Sequence, residues 1–331
     1  MKISYHNSHE QFSPSELLDF VRHAEEAGFD AAFSSDHFHP WAPAQGHAGF
    51  IWAWLGAAMQ STRKLSFAGI TIPGDWRYHP AIVAQAFATL NEMFPGRLPW
   101  FALGSGECVN EHVVGREWPD KQERNARLEE AVSIIRKLLA GERVTQHGRI
   151  RVENAQVWPP SAHAIQLMGA AMSEGTAESV GSWADGMLTT APDMSTLTKI
   201  VSAFRRSGAR KPMHLKVDLS WAPDEHTALR QAHEEWRFLM SGREASQNWK
   251  TPEEFERNTQ QVTPEDMRKS VLISADLDQH VQWLRERAAL GFETLNLHNV
   301  GRNQHEFIAA FGHHVLPALR ASAPRNAVTQ R

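Results

Sequence analysis

Residues 3–35 read ISYHNSHEQFSPSELLDFVRHAEEAGFDAAFSS and contain one complete strand–helix–strand unit. The β-favouring run 3–7 predicts a strand. Residues 13–16, Ser-Pro-Ser-Glu, combine an N-cap, a proline at the first helical position and a capping-box glutamate, which predict the start of a helix. Gly28 is expected to end this helix, and residues 31–35 form the next strand.

Strand-like runs alternate with amphipathic helical runs along the rest of the chain. This order predicts parallel β/α units rather than separate all-α and all-β parts. The predicted strands cover residues 3–7, 31–35, 65–72, 98–103, 165–168, 187–190, 214–219 and 294–298. Eight such units predict an α/β fold of the (β/α)8 TIM-barrel class.

The predicted domain organisation is one TIM-barrel domain over residues 1–320. Two insertions interrupt the alternation, one at about 141–160 after helix 4 and one at about 241–262 after helix 7. Short alternating pieces in the first predict a hairpin, whereas the second is polar and starts a short helix. Residues 321–331 are expected to be a frayed tail.

The composition excludes several classes of partner. A net charge of -4 gives no basic field for a phosphate backbone, so no nucleic-acid partner is expected. Cys108 is the single cysteine, which excludes a disulfide framework and a thiolate-built metal site. No apolar run approaches the roughly 20 residues that span a bilayer. A small-molecule partner and a cytoplasmic location are therefore expected.

The loop after the second predicted strand, residues 36–41, reads DHFHPW and holds a carboxylate, two imidazoles and an indole. Ligands of a TIM barrel meet the loops that follow the strands. His37 is suited to accept a proton near neutral pH, and Trp41 is suited to form an apolar wall. The alternative is that these residues only pack the loop.

Two further loops follow predicted strands. Residues 104–107, Gly-Ser-Gly-Glu, let backbone approach a flat ligand and bring the Glu107 carboxyl group to the mouth, although a tight turn with a solvated glutamate explains them as well. Residues 104–107 do not complete a dinucleotide fingerprint.

Residues 169–173 leave room for a ligand, and backbone N–H groups at the following helix start can bind phosphate. A strand-to-helix turn without a ligand has the same pattern.

At these loops the sequence resembles the luciferase-like TIM-barrel oxidoreductases, and within them the glucose-6-phosphate dehydrogenases that use the deazaflavin coenzyme F420. The resemblance covers nearly the whole chain. It rests on Glu10-Gln11-Phe12, Ser35-Asp36-His37-Phe38 with Pro40-Trp41, Trp76-Arg77-Tyr78-His79-Pro80 with Ala84-Gln85-Ala86-Phe87-Ala88-Thr89, and Gly104-Ser105-Gly106-Glu107 with Asn110-Glu111.

The resemblance implies hydride transfer between a cofactor ring and a small organic substrate, in a chain that forms a homodimer. His37 would be the base that takes the alcohol proton and Glu107 the acid that serves the ring, with Trp41 as a stabilising wall and Glu10 as a further catalytic residue. The ring carries the hydride chemistry, and the protein supplies orientation and proton transfers. The implied cofactor-binding residues are Asp36, Ile70, Thr71, Gly106, Glu107, Asn110, Gly169, Ala170, Ala171 and Met172.

Two departures from the resemblance bear on the ligands. The positions that hold the sugar phosphate in those dehydrogenases correspond to Asp193, Ser246 and Ser270, none of which is cationic. A dianion would be poorly held there, so glucose 6-phosphate is not the expected substrate. The cofactor phosphate loop, residues 169–173, has also lost a pair of glycines. In this respect it resembles a related branch of the superfamily that is thought to use an ordinary flavin, which slightly favours FMN over coenzyme F420.

Three alternatives remain open from the sequence. His37 and His39 could be the His-x-His pair of a metal-dependent TIM-barrel hydrolase, but that motif normally ends the first strand, and no metal site is predicted. An FMN-dependent monooxygenase and a flavin-binding protein without turnover are the other two.

Overall fold

The structure is a computed structural model that describes residues 1–191 and 193–321, with residues 243, 244 and 246 described by their backbone alone. Nearly all of the predicted tail, 322–331, lies outside the described residues. The strands are β1 Lys2–Asn7, β2 Ala31–Ser35, β3 Ser66–Thr71, β4 Trp100–Leu103, β5 Val144–His147, β6 Arg151–Ala155, β7 Gln166–Ala170, β8 Gly186–Thr189, β9 Met213–Ser220, β10 Leu272–Ile273 and β11 Thr294–Asn299.

Helices connect these strands. The α-helices are α1 Pro14–Glu26, α2 Ile51–Ser61, α3 Pro80–Met93, α4 Cys108–Glu111, α5 Lys121–Leu139, α6 Glu174–Trp183, α7 Met194–Gly208, α8 Glu225–Trp236, α9 Gly242–Asn248, α10 Pro252–Asn258, α11 Leu277–Ala288, α12 Gln304–Ala310 and α13 Leu316–Ala321. Among the described residues, no helix is both long and apolar enough to cross a membrane.

Eight parallel strands close into a barrel in the order β1, β2, β3, β4, β7, β8, β9, β11. The last strand pairs back onto the first, with Thr294 opposite Lys2 and Leu297 opposite Tyr5. The predicted TIM barrel is therefore confirmed.

Local sequence signals explain where the helices start. Ser13 accepts a hydrogen bond from the backbone N–H of Glu16, and the Glu16 side chain accepts one from the backbone N–H of Ser13, which completes a capping box. Thr251 caps α10 in the same way. These caps satisfy backbone donors that have no partner within the helix.

Two segments lie outside the regular alternation. The antiparallel pair β5 and β6 falls within residues 141–160, where a hairpin was predicted, and the Glu130 carboxylate accepts hydrogen bonds from Gln146 and Ile150. Residues 241–262 contain α9 and α10. With α8 before them, these helices form an excursion between β9 and α11.

The barrel interior has an apolar half and a polar half. Alternation along the strands directs one set of side chains inward. On β2, β3, β4, β7 and β8 this set forms an apolar cluster of Phe33, Ala68, Trp100, Ala102, Met168 and Leu188. On β1, β9 and β11 the corresponding buried residues are Ser4, His6, His214, Asp218, Asn296 and His298, with Lys216 beside them.

Candidate active site

His37 is the centre of the candidate site, on the loop after β2. Its Nδ1 atom forms an ion pair with Glu10 Oε1, from the loop after β1. Its Nε2 atom lies 3.9 Å from Glu107 Oε2, from the loop after β4. The Trp41 ring stands perpendicular to the imidazole at 5.1 Å between centroids. The fold thus brings together all four residues that were predicted to be catalytic.

Glu10 is held as a carboxylate. It is buried, and Ser8 Oγ donates a 3.0 Å hydrogen bond to Oε2. Burial raises the pKa of Glu10, but the charge and hydrogen bond of His37 outweigh it and lower the pKa to about 2. For His37, burial lowers the pKa, yet Glu10 more than compensates, so the pKa of the imidazole lies above its ordinary value. This is the arrangement of a base whose protonated form is stabilised.

The pKa of Glu107 shifts in the opposite direction from that of Glu10. Glu107 stands at the N-cap position of α4. Burial raises the pKa of Glu107, and the nearby charge of His37 only partly offsets this effect. A carboxyl group with a raised pKa retains its proton to higher pH, which suits a general acid. The two carboxyl groups beside His37 are therefore suited to different roles.

Asp36 and Thr71 are bonded to each other, since Thr71 Oγ1 donates a 2.6 Å hydrogen bond to Asp36 Oδ2. The other carboxylate oxygen accepts from Arg77 Nη1 and from the Tyr78 hydroxyl, both at 3.2 Å. Arg77 also pairs with Glu111 at 3.0 Å. The sequence motif contained Arg77 and Tyr78, but their link to Asp36 was not predicted. Contact of Asp36 and Thr71 with a cofactor stays a prediction.

Asn110 fixes the loop that carries His37. Its Oδ1 atom accepts hydrogen bonds from the backbone N–H groups of Phe38 at 2.8 Å and His39 at 3.1 Å. In this structure the Asn110 oxygen holds the loop, and the predicted contact of Asn110 with a cofactor stays a prediction. Ile70 supports the same loop, because its carbonyl accepts from the Asp36 N–H at 3.1 Å.

Gly106 needs to be glycine on two grounds. Its φ of +89° lies in the left-handed region, and a Cβ atom there would stand 2.7 Å from Trp118 and 3.1 Å from Glu111. The chain can therefore pass closely between these side chains at the edge of the site.

The loop after β7 contains the predicted cofactor-binding residues 169–172, which differ in packing and exposure. A Cβ atom on Gly169 would meet Val180 of α6 at 2.5 Å, so this glycine permits close strand–helix packing. Ala170 is half-buried and Ala171 buried, whereas Met172 is 65% exposed. A cofactor-binding role for this loop stays a prediction.

His39 does not share a site with His37. Its Nδ1 atom lies 2.9 Å from the carbonyl oxygen of Val109, which directs the ring toward α4. Within residues 1–191 and 193–321, no group of three potential metal ligands contains either histidine. The geometry therefore does not support the hydrolase alternative.

A cleft of about 390 Å³ opens beside His37. Most of its lining is aromatic or aliphatic, and Arg77 and His37 are the basic groups in it. The lining residues are His37, Phe38, Ala48, Phe50, Arg77, Tyr78, Val113 and Val114. Flat apolar walls and a few polar groups suit a planar heterocycle, and the size is that of ordinary small-molecule sites. The residues present thus fit a flavin or deazaflavin ring.

Asp193, Ser246 and Ser270 are the three positions where no anion site was predicted. Asp193 is the N-cap of α7 and accepts from the backbone N–H of Thr196 at 2.9 Å. Ser270 lines a small cavity with Lys216, Asp218 and Arg287, and Lys216 and Asp218 form an ion pair with each other. The side chain of Ser246 lies outside the described residues. Neither described position supplies a cation for a phosphate dianion.

Sequence reasoning missed a charged network inside the barrel. His298 Nδ1 lies 2.7 Å from Asp218 Oδ1, which also pairs with Lys216. The His298 ring lies 4.3 Å from that of His6 and 4.5 Å from that of Trp236. Burial lowers the pKa of His298 and His6, which favours the neutral form of both rings. The alternation in HLKVDLS, residues 214–220, was the available signal.

Comparison with known proteins agrees with this geometry. The model of the family described as luciferase-like monooxygenase matches residues 1–294. The chain belongs to this family. The predicted luciferase-like oxidoreductase class is therefore confirmed.

Two relatives are similar to this family member over almost their full length. F420-dependent glucose-6-phosphate dehydrogenases of Microbacterium testaceum and Nakamurella multipartita are 34% and 35% identical to it. Each match covers 97% of the chain, and 98% and 97% of the respective relative.

Solved structures share the fold. An F420-dependent secondary alcohol dehydrogenase in complex with an F420-acetone adduct has a TM-score of 0.87 and 30% identity, over 96% of this chain and 99% of that chain. The coenzyme F420 dependent tetrahydromethanopterin reductase from Methanopyrus kandleri matches over 96% of this chain and 99% of its own. At 19% identity and a TM-score of 0.76, it shows the shared fold alone.

Proposed function

We propose that this protein is a dehydrogenase that uses coenzyme F420 and oxidises a small uncharged alcohol. The observation that carries this proposal is the position of His37, paired with Glu10 at one ring nitrogen and turned toward Glu107 at the other. Alcohol oxidation with proton uptake by the cofactor requires a base for the hydroxyl proton and an acid for the ring, and His37 and Glu107 are placed side by side for these two roles.

The protein's part in the reaction is proton transfer and orientation. Nε2 of His37 accepts the hydroxyl proton of the alcohol, while Glu10 stabilises the imidazolium through Nδ1. Glu107, with its raised pKa, holds the proton that it donates to the cofactor side. Trp41 packs against His37 and gives the imidazole an apolar neighbour. When bound, the deazaflavin ring would supply the two-electron chemistry, as the acceptor of the hydride from the alcohol carbon.

The choice of cofactor rests on the relatives. The two glucose-6-phosphate dehydrogenases and the solved secondary alcohol dehydrogenase are all named as F420-dependent. The solved dehydrogenase is in complex with an F420-acetone adduct. These names shift the preference from FMN, which the loop at 169–173 had favoured, to coenzyme F420. The lining of the cleft beside His37 does not favour either ring over the other.

The glucose-6-phosphate dehydrogenases and the secondary alcohol dehydrogenase differ in the substrate for which they are named. The named sugar-phosphate dehydrogenases act on a dianion, whereas Asp193 is an acidic helix cap here and Ser270 carries no charge. The Glu10 carboxylate beside His37 would also repel a dianion. A neutral alcohol, as in the secondary alcohol dehydrogenase, fits this environment better. Homodimer formation and a cytoplasmic location stay predictions.

The test uses the purified protein with coenzyme F420 and either 2-propanol or glucose 6-phosphate. We expect alcohol-dependent loss of the visible absorption of the oxidised deazaflavin, and no such change with the sugar phosphate. His37→Gln is expected to lose at least about a hundredfold in rate, which is the range of general-base contributions. His39→Gln is the matched control on the same loop.

Saturable turnover of glucose 6-phosphate at micromolar concentration would contradict the substrate assignment. FMN released from the protein on denaturation, together with no response to coenzyme F420, would contradict the cofactor assignment. Binding of F420 with no turnover of any alcohol would support the flavin-binding alternative instead.

A further inference from the structure

A group of metal-ligand side chains lies on the outer surface, away from His37. Asp19 and His23 belong to α1, and His305 belongs to α12. Nε2 of His305 lies 3.2 Å from Asp19 Oδ2, and Nδ1 of His23 lies 3.4 Å from the same oxygen. One ligand atom from each residue lies within 4.8 Å of the other two. Within the described ranges, no other group of three meets this distance.

The two helices hold these side chains in place. Asp19 and His23 are four residues apart, so they share one face of α1. The Phe20 ring contacts two other rings edge-to-face. The distance between ring centroids is 5.0 Å to His305 and 5.1 Å to Phe12. The imidazoles of His23 and His305 stand perpendicular at 4.6 Å. The donors are therefore arranged by packed helices rather than by a loop.

The hydrogen bonds around the group leave electron pairs available. His23 Nδ1, which lies 3.4 Å from Asp19 Oδ2, also lies 2.9 Å from the carbonyl oxygen of Asp19, and with the ring proton on Nε2 this Nδ1 atom carries the electron pair that can bind an ion. Arg22 donates to Asp19 Oδ1 at 3.0 Å, on the other carboxylate oxygen from the one that faces the imidazoles. Such outer contacts orient metal ligands in known sites.

We propose that Asp19, His23 and His305 form a surface binding site for a borderline divalent cation of the zinc class, with water completing the coordination. Two imidazole nitrogens and one carboxylate oxygen suit zinc, nickel or copper, whereas magnesium and calcium prefer oxygen ligands throughout. Bonds of roughly 2.0–2.2 Å to a tetrahedral ion place its ligands about 3.4 Å apart. Small side-chain rotations from the observed separations reach that distance.

The site lies at the seam where the barrel closes. Helix α1 follows β1, α12 follows β11, and these two strands pair with each other. An ion held by both helices ties the first β/α unit to the last. Because the unfolded chain keeps these residues far apart, the ion binds the folded state preferentially and stabilises it by mass action.

The experiment titrates zinc into the metal-stripped full-length protein by calorimetry, with thermal unfolding as a second readout. We expect one binding site in the wild type and a rise in the unfolding midpoint with zinc. His23→Gln and His305→Gln are each expected to weaken zinc binding at least tenfold and to abolish the rise. His226→Gln removes an exposed histidine on α8 and is expected to change neither.

Four outcomes would overturn the proposal: no zinc binding by the wild type, unchanged zinc affinity in both His23→Gln and His305→Gln, an equal loss in His226→Gln, or equally tight binding of magnesium. Because the two test substitutions lie on different helices, misfolding of one variant leaves the other decisive.

Discussion

Glu10 and His37 form an ion pair that joins the loops after the first two strands, with a carboxylate oxygen of the buried Glu10 against Nδ1 of the half-buried imidazole. The pair shifts both ionisations in the direction that stabilises the charged forms, since the pKa of Glu10 falls to about 2 and that of His37 rises. In the resting site His37 therefore keeps its proton to a higher pH than an isolated imidazole does.

The first prediction concerns the pH dependence of alcohol oxidation. Only neutral His37 can accept the hydroxyl proton, so kcat/KM should rise with pH through an ionisation above 6.5. In Glu10→Gln the opposite charge is lost, the pKa of His37 falls, and this limb should move to lower pH. The rate at its plateau should also fall, because the imidazolium formed in the reaction lacks its partner. Superimposable profiles would contradict the assignment of Glu10.

The second prediction concerns Arg77. Its guanidinium pairs with the buried carboxylates of Asp36 and Glu111. Arg77→Leu leaves both negative charges uncompensated, and the free energy of unfolding should fall by about 3–5 kcal/mol. Chemical denaturation measures the loss. Arg230→Leu, which breaks an exposed pair with Glu234, should cost at most about 1 kcal/mol. Similar losses in the two variants would refute a structural role for the Arg77 network.

The third prediction compares two left-handed glycines. Gly106 has a φ of +89° and crowded surroundings, whereas Gly115 has a φ of +74° and no atom within 4 Å of the place that a methyl group would take. Gly115→Ala should cost roughly 1–2 kcal/mol from backbone strain alone. Gly106→Ala should cost more, because its methyl group would also collide with Trp118, and it should weaken cofactor binding. Equal losses of stability, with unchanged cofactor affinity, would show that the crowding at Gly106 is unimportant.

The fourth prediction concerns the support of the His37 loop. Asn110→Ala removes the acceptor for two backbone N–H groups, at Phe38 and His39, and should cost about 1–3 kcal/mol in stability. Because the loop then holds His37 less firmly, kcat should fall although no reacting group is removed. Asn258→Ala, at an exposed hydrogen bond within α10, should stay within about 0.5 kcal/mol of the wild type. A wild-type kcat in Asn110→Ala would argue against this positioning role.

The parts of the molecule that follow local rules were predictable from the sequence. Capping residues at Ser13 and Thr251 mark helix starts because they satisfy backbone donors within a few residues of themselves. The order of strands and helices along the chain follows from the alternation of two periodicities, about two residues in strands and about 3.6 residues in helices. The grouping of His37, Glu107 and Glu10 followed from their places just after strands, together with the family resemblance.

The parts that depend on distant contacts were not predictable. Arg77 reaches Asp36 across 41 positions, and Asp218 reaches His298 across 80. Nothing local in the sequence states which carboxylate a buried arginine meets. The inward row of His214, Lys216 and Asp218 is visible as a polar alternation, but barrel interiors are usually filled by aliphatic side chains, so the pattern was not assigned to the interior.

The pairing of β1 with β11 has a consequence for synthesis on the ribosome. Lys2 emerges 292 residues before its partner Thr294. At 5–20 residues per second, the N-terminal strand waits on the order of 15–60 s with one edge unpaired. The β1 and β2 strands, which position Glu10 and His37, can pair early in translation, but the barrel closes only when the last strand has left the exit tunnel. The nascent chain thus exposes an open sheet edge for most of its elongation, and this edge is the feature that a ribosome-associated chaperone would protect.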